Sequence, residues 1–356
     1  MIIFSCILIL LLICLVLDSQ KTNHKNTAII IIFCLILTFL SACRKYTVGV
    51  DSIQYYTNYT LLGTHSDILQ VTRYESGFKL LCEFLYTINS NPQFLFIITS
   101  LFIIPSVCRF ISKHSSNKIL SLILYLTLNV YFFELTGLRQ AIAIAIMVYA
   151  YDALLNNKKM IFSILIILAS LFHQSALLLL LIFILFDKIK YNNKVYFKVL
   201  LFTLVSFFAF QPLLGLFSKY FSKYAGYIGS DFGTENYFGA LFQFLLSFAI
   251  YTVCHFIYVK NSTNSNRNTE FLLKCSALAM YFYAMSMKMS IVGRMAPYFM
   301  IYSIILIPNI EKYISTQKNK LLFIVCTLFI AISYWLIIAI YRPEWNGVIP
   351  YEFYWK

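Results

Sequence analysis

Apolar runs long enough to cross a bilayer recur from residue 2 to residue 340, so the membrane region is the whole chain and not an anchor on a soluble domain. Such runs must satisfy their backbone groups internally, because lipid offers no hydrogen-bond partner. Even AIAIAIMVYA, residues 141–150, which alternates like a strand, is therefore expected to be helical: an isolated strand would leave its backbone unpaired in lipid. Its small residues at every second position let neighbouring helices approach closely. The composition agrees, with 60% hydrophobic residues, 12% charged residues and a mean hydropathy of +0.77.

A span yardstick of about 20 residues places segments near 2–17, 27–43, 93–109, 119–133, 138–155, 160–173, 175–187, 196–217, 238–259, 271–288, 296–310 and 321–340. The expectation is an all-α polytopic integral membrane protein of about 12 transmembrane helices, uncertain by two, forming a single domain over 1–356. The residues 160–187 are either two short spans bent at His173 or a re-entrant hairpin. The first run lacks the basic start and small-residue cleavage site of a signal peptide and is read as a retained helix.

Short lysine-rich loops at 18–26, 110–118, 156–159, 188–195, 260–270 and 311–320 mark the cytoplasmic side. The long loop 44–92, the turns at 134–137, 218–237 and 289–295, and both termini then face outward, into the periplasm. Within 44–92, the apolar spacing from Phe78 to Tyr86 predicts an amphipathic helix lying on the membrane. The net charge of +14 sits in short loops and not on one continuous face, which argues against nucleic acid as a partner.

Five of the seven arginines, Arg44, Arg73, Arg139, Arg294 and Arg342, lie on the outer side, whereas most lysines lie inside. Cations close to the outer face run against the positive-inside bias and need a reason. A guanidinium is a planar fork of donors matched to phosphate or carboxylate, so an outer anion is one partner; pairing with outer carboxylates such as Asp51 and Glu75, or with lipid headgroups, is the other. Arg139, on a packed helix, faces protein or a cavity. His173, in LASLFHQSALLLL, is either a structural hydrogen bonder or a base. No histidine or cysteine spacing suggests a metal. No phosphate loop or paired carboxylates suggest a nucleotide or a covalent glycosyl intermediate, and no cofactor is implied.

The ordered set RKYTVGVDSIQYY, RYESGFKLL, GLRQAIAIAI, ILASLFHQSALLLL and GRMAPYFMIYSIILIP, with the tail GVIPYEFYW, resembles the EpsG-type branch of the Wzy polysaccharide polymerases. The resemblance implies an O-antigen polymerase of the bacterial inner membrane, with its active site facing the periplasm. It would transfer a growing glycan from undecaprenyl diphosphate to a new lipid-linked repeat unit; a chain-length regulator is a partner the family suggests. Matched position by position, Arg44, Gly49, Asp51, Tyr55, Arg139, Gln140, His173 and Arg294 carry the family motif. His173 or Asp51 would be the base and Arg139 and Arg294 the cations for the departing diphosphate. Arg44, Gly49, Tyr55, Arg73, Glu75, Gln140 and Arg342 would bind substrate. The rival readings are a lipid-linked oligosaccharide flippase and a membrane acyltransferase of surface sugars.

Overall fold

The computed structural model describes residues 1–17, 23–63, 72, 74–180, 189–262 and 265–356, except 221–236, with side chains left aside at 23–26 and 213–220. Among the described residues the structure is helical, its one β feature an isolated antiparallel bridge between Arg44 and Phe353. The chain divides into two compact units, Met1–Phe183 with Ile324–Lys356, and Ile184–Phe323.

In the first unit α1 (Ile2–Leu17) and α2 (Asn23–Ala42) lead into α3 (Ser52–Leu61) and α4 (Ser76–Ile88), so the long loop contains two helices. After them come α5 (Gln93–His114), α6 (Lys118–Thr127), α7 (Val130–Thr136), α8 (Leu138–Leu155) and α9 (Lys159–Ser170). The predicted helical spacing at 78–86 is realised in α4, which buries Phe78, Cys82 and Leu85 and leaves Leu80, Phe84 and Ile88 exposed one turn apart. Centrally, α8 packs against α5 and α9. Ala141, Ala143 and Ala145 have no exposed surface, the close approach their size permits.

The second unit contains α10 (Asn193–Tyr220), α11 (Tyr237–Asn261), α12 (Arg267–Ser286), a 3₁₀ turn at Ser290–Met295, α13 (Pro297–Met300) and α14 (Ser303–Ile310). Helix α15 (Gln317–Tyr341) begins in the second unit and ends in the first. In the second unit the Glu270 carboxylate accepts from the Tyr191 N–H at 3.2 Å, the Tyr258 hydroxyl at 3.2 Å and the Ser265 hydroxyl at 2.6 Å, tying loop ends to α11 and α12.

Among the described residues five helices are long and apolar enough to cross a membrane, and up to seven spans result if each of two bent pairs is one. Length and composition thus support an integral membrane protein with five to seven spans, fewer than the twelve expected. The difference has physical causes. At 1.5 Å per residue, α1, with 16 residues, reaches about 24 Å and α9, with 12, about 18 Å, short of a hydrocarbon core about 30 Å thick. The run at 271–288 lies mostly in α12, which is largely buried and carries Arg267, Glu270 and Lys274. The run at 175–187 starts as a 3₁₀ turn, Gln174–Leu177, and its end lies outside the described residues. The pair α6 and α7 bends by 51° at Asn129, whose φ is +67°.

The C-terminal tail lies along the start of the long loop. Tyr354 N–H donates to Cys43 O at 3.0 Å, Lys45 N–H to Glu352 O at 2.9 Å and Gly49 N–H to Gly347 O at 2.8 Å. Lys45 Nζ pairs with Glu352 at 2.9 Å, and the Tyr351 hydroxyl reaches Leu40 O at 2.6 Å. Gly49 has φ +101°, and a Cβ there would stand 2.5 Å from the Leu135 carbonyl oxygen. Gly49→Ala is expected to destabilise the protein by about 1–3 kcal/mol, read as a lower melting temperature in detergent; an unchanged melting temperature would show that the backbone relaxes freely there.

Candidate functional site

The site lies in the first unit, around the carboxylate of Glu75. Glu75 has extended backbone (φ −70°, ψ 152°) at the N-cap of α4, but its side chain does not cap the helix. It turns instead toward α8 and the segment after α9. Arg139 Nη1, from the first turn of α8, donates to Oε2. The Gln174 N–H donates to Oε1 at 3.1 Å, and His173 Nδ1 lies 3.3 Å from the same oxygen.

Two local features allow this convergence. His173 follows the last turn of α9 with extended backbone (φ −151°), which aims the Gln174 N–H toward Glu75 and starts the 3₁₀ turn. Gly77 N–H donates to Leu171 O at 2.9 Å, and a Cβ on Gly77 would stand 2.8 Å from that oxygen. Only a residue without a side chain lets α4 approach the end of α9 this closely.

An aromatic wall adjoins the cluster. The Arg139 guanidinium lies over the Tyr74 ring at 4.8 Å and interacts with the Tyr55 hydroxyl. Tyr55 and Tyr74 are both buried, their ring centroids 5.8 Å apart, and Phe78 packs on both at 5.5 and 5.3 Å. Asn58 Nδ2 donates to the Tyr74 hydroxyl at 2.7 Å. Arg139 Nε is buried without a hydrogen-bond partner, so part of the guanidinium's donor capacity is unspent.

Burial by itself would push the Glu75 carboxyl up. The His173 hydrogen bond, the Arg139 charge and the Gln174 N–H overcome burial and hold it at about 2. Glu75 is therefore ionised at any working pH, and an anion beside Nδ1 favours the histidine tautomer that carries its proton on Nδ1. Nε2 is then left with its lone pair. Arg139, Glu75 and His173 have side chains 21%, 17% and 18% exposed, so the cluster is recessed yet reachable.

Of the residues singled out in the sequence, the structure brings together Glu75, Arg139, His173 and Tyr55. Gln140, next to Arg139, is buried. Asp51 occupies the N-cap position of α3, exposed, one helical turn before Tyr55. Gly49 serves the junction with the tail. Arg44 is 0% exposed: its Nη1 donates to Ser41 O at 2.5 Å, its guanidinium lies over the Phe96 ring at 4.3 Å, and its Nε and Nη2 have no hydrogen-bond partner. Burial lowers the Arg44 pKa to about 10, against the opposing pull of Tyr131, Tyr351 and Tyr55, and leaves it a cation. Arg342 is exposed and pairs with Glu344 at 3.5 Å. Arg294 is exposed on the Ser290–Met295 turn of the second unit. Arg73 lies outside the described residues.

Tyr74, Asn58 and Gly77 were not singled out from the sequence. Tyr74 and Gly77 flank Glu75 within RYESGFKLL, so their nearness in sequence was the available signal. Asn58 has no such signal.

No His, Cys, Asp and Glu grouping among the described residues could hold a metal ion. The model for the EpsG family matches residues 27–353, nearly the whole chain. Neither a curated protein nor a solved structure matches it.

Because the Glu75 pKa lies below its ordinary 4.5, the pairing stabilises the fold fully above about pH 5 and less as the pH falls toward 2. Glu75→Gln should lower the melting temperature at pH 7, and its gap from wild type should narrow between about pH 5 and pH 3; a pH-independent gap would mean that the carboxylate charge contributes nothing. Gly77→Ala should also lower the melting temperature by forcing α4 off Leu171, and an unchanged value would show that the close approach is not needed.

Proposed function

The chain belongs to the EpsG family of polysaccharide-polymerase-like membrane proteins, and from that premise we propose that it is an O-antigen polymerase. It transfers a growing glycan from undecaprenyl diphosphate to a new lipid-linked repeat unit at the periplasmic face of the inner membrane. The observation that carries this reading is the Glu75 carboxylate shared by Arg139 and His173. That arrangement places a fixed cation beside an oriented imidazole.

Each group has a task in glycosyl transfer. The acceptor hydroxyl attacks the anomeric carbon, forming the new C–O bond as the bond from that carbon to the diphosphate oxygen breaks. The hydroxyl proton passes to His173 Nε2. Negative charge accumulates on the diphosphate, and Arg139 meets it with a fixed cation; one such donor contributes on the order of 3 kcal/mol. Glu75 holds the imidazole tautomer and stabilises the imidazolium that forms, as an orienting carboxylate does in other bases of this kind. The buried Tyr55 and Tyr74 back the Arg139 guanidinium and hold it in place beside the reacting groups. Asp51, exposed before Tyr55, is the second candidate base.

The lysine bias of the loops supports an outward placement of the site. Arginine on a packed helix end and aromatic residues beside it fit recognition of a lipid-linked diphosphate sugar, whose lipid supplies both activation and membrane address.

Deletion of the gene should leave lipopolysaccharide with a core bearing a single repeat on a gel; bare core would instead indicate a flippase, and an intact ladder an acyltransferase. Complementation with His173→Ala or Arg139→Ala should lose about 100-fold or more of the polymer at normal protein levels. Arg294→Ala and Asp51→Ala test those residues separately. Long chains retained in both the His173 and Arg139 variants would overturn the site.

A further inference from the structure

At the other end of α5, an open groove of about 360 Å³ runs between α2 and α5. Ile31 and Leu35 wall it on one side, and Pro105 and Cys108 on the other. The short Cys34 and Cys108 side chains contact each other across the interface and, with Pro105, line the floor of the groove. Ile31 is 55% exposed and Leu35 65%, so the groove opens toward the surroundings of the helices. The groove's volume is about a dozen times the 30 Å³ share of one water in the liquid, room for a stretch of hydrocarbon chain.

Arg109 and Lys113 close one end of the groove. Both pair with the same Asp152 oxygen, at 2.7 and 2.9 Å, while His114 Nε2 meets the other oxygen at 2.5 Å. One carboxylate thus faces two permanent cations and a histidine, leaving at least one positive charge uncompensated. The cations are also the open members: Arg109 and Lys113 side chains are 42% and 47% exposed, against 13% for Asp152. An apolar channel ending in excess positive charge complements a molecule with a hydrocarbon chain and an anionic head.

We propose that this groove binds an anionic phospholipid of the bilayer, with an acyl chain lying along the groove over the α2–α5 contact and its phosphate on Arg109 and Lys113. The cations belong to the side that the lysine bias makes cytoplasmic. Gln93, at the start of α5, bonds Ala42 O and Arg44 O at the base of the long loop. Arg109 stands 16 residues further along, about 24 Å at 1.5 Å per residue. The groove is thus separate from the Glu75 cluster, and the proposal does not depend on the polymerase reading. A zwitterionic lipid brings no net charge to complement the excess.

Native mass spectrometry of the purified full chain in detergent, titrated with dioleoyl phosphatidylglycerol or dioleoyl phosphatidylcholine, tests this. Wild type should retain phosphatidylglycerol over phosphatidylcholine, and the R109Q/K113Q double variant should bind it about tenfold more weakly. Leu35→Trp, which fills the groove without touching the charges, should weaken it similarly and keeps the test decisive if the double variant fails to fold. Equal binding of the two lipids, undiminished phosphatidylglycerol binding in folded variants, or its displacement by a lower concentration of a polyprenyl phosphate would overturn the assignment.

Discussion

The Glu75 carboxylate fixes the geometry where α4, α8 and the end of α9 meet in the first unit. A carboxylate mostly withdrawn from water must find charge and hydrogen-bond partners or lose its charge. Its partners come from far along the chain, Arg139 being 64 residues away and Gln174 being 99. One side chain therefore ties a helix of the long loop to the buried α8 and to the turn after α9. The Gly77 contact with Leu171 makes the tie possible by holding the two backbones close together. The same pairing leaves the cluster electrically neutral while its histidine is neutral, and cationic once a proton arrives.

Arg139 and Arg44 illustrate how depth separates residues of the same type. Arg139 meets a carboxylate, an aromatic face and an opening. Arg44 is sealed, its charge held by the Ser41 carbonyl and hydroxyl, by the face of Phe96 and by nearby tyrosines. The tail over residues 43–50 excludes water from it, and the tail's own place is set by backbone hydrogen bonds that include the one from Gly49. A buried cation with dipoles and rings for company is expensive, and it gives this junction a strong preference for one arrangement.

Much of this was legible in the residues. Apolar runs and low charge determine a helical membrane protein, because lipid gives the backbone no other partner. The spacing of Phe78, Cys82 and Leu85 determines the buried face of α4, and the alanines of 141–145 determine that α8 can be closely surrounded. The ordered motifs placed Glu75, Arg139 and His173 among the residues worth following. Among the described residues, length and composition support five to seven spans where hydropathy marks twelve apolar runs, because hydropathy registers such runs without their helical length: α9 is short, and α12 is buried yet carries charges that fit protein better than lipid.

Tertiary structure alone decided the pairings. Sequence could offer Glu75 as one of several outer carboxylates for one of five outer arginines, since long-range ion pairs leave no periodic trace. Only the folded chain shows Arg139 and His173 sharing Glu75, and Arg44 covered by a tail that begins some 300 residues later. Periodicity reports which face of a helix is apolar, a local property of consecutive residues. Which helix ends meet is set by packing across the whole unit, and that is where a recessed carboxylate acquires its cation and its imidazole.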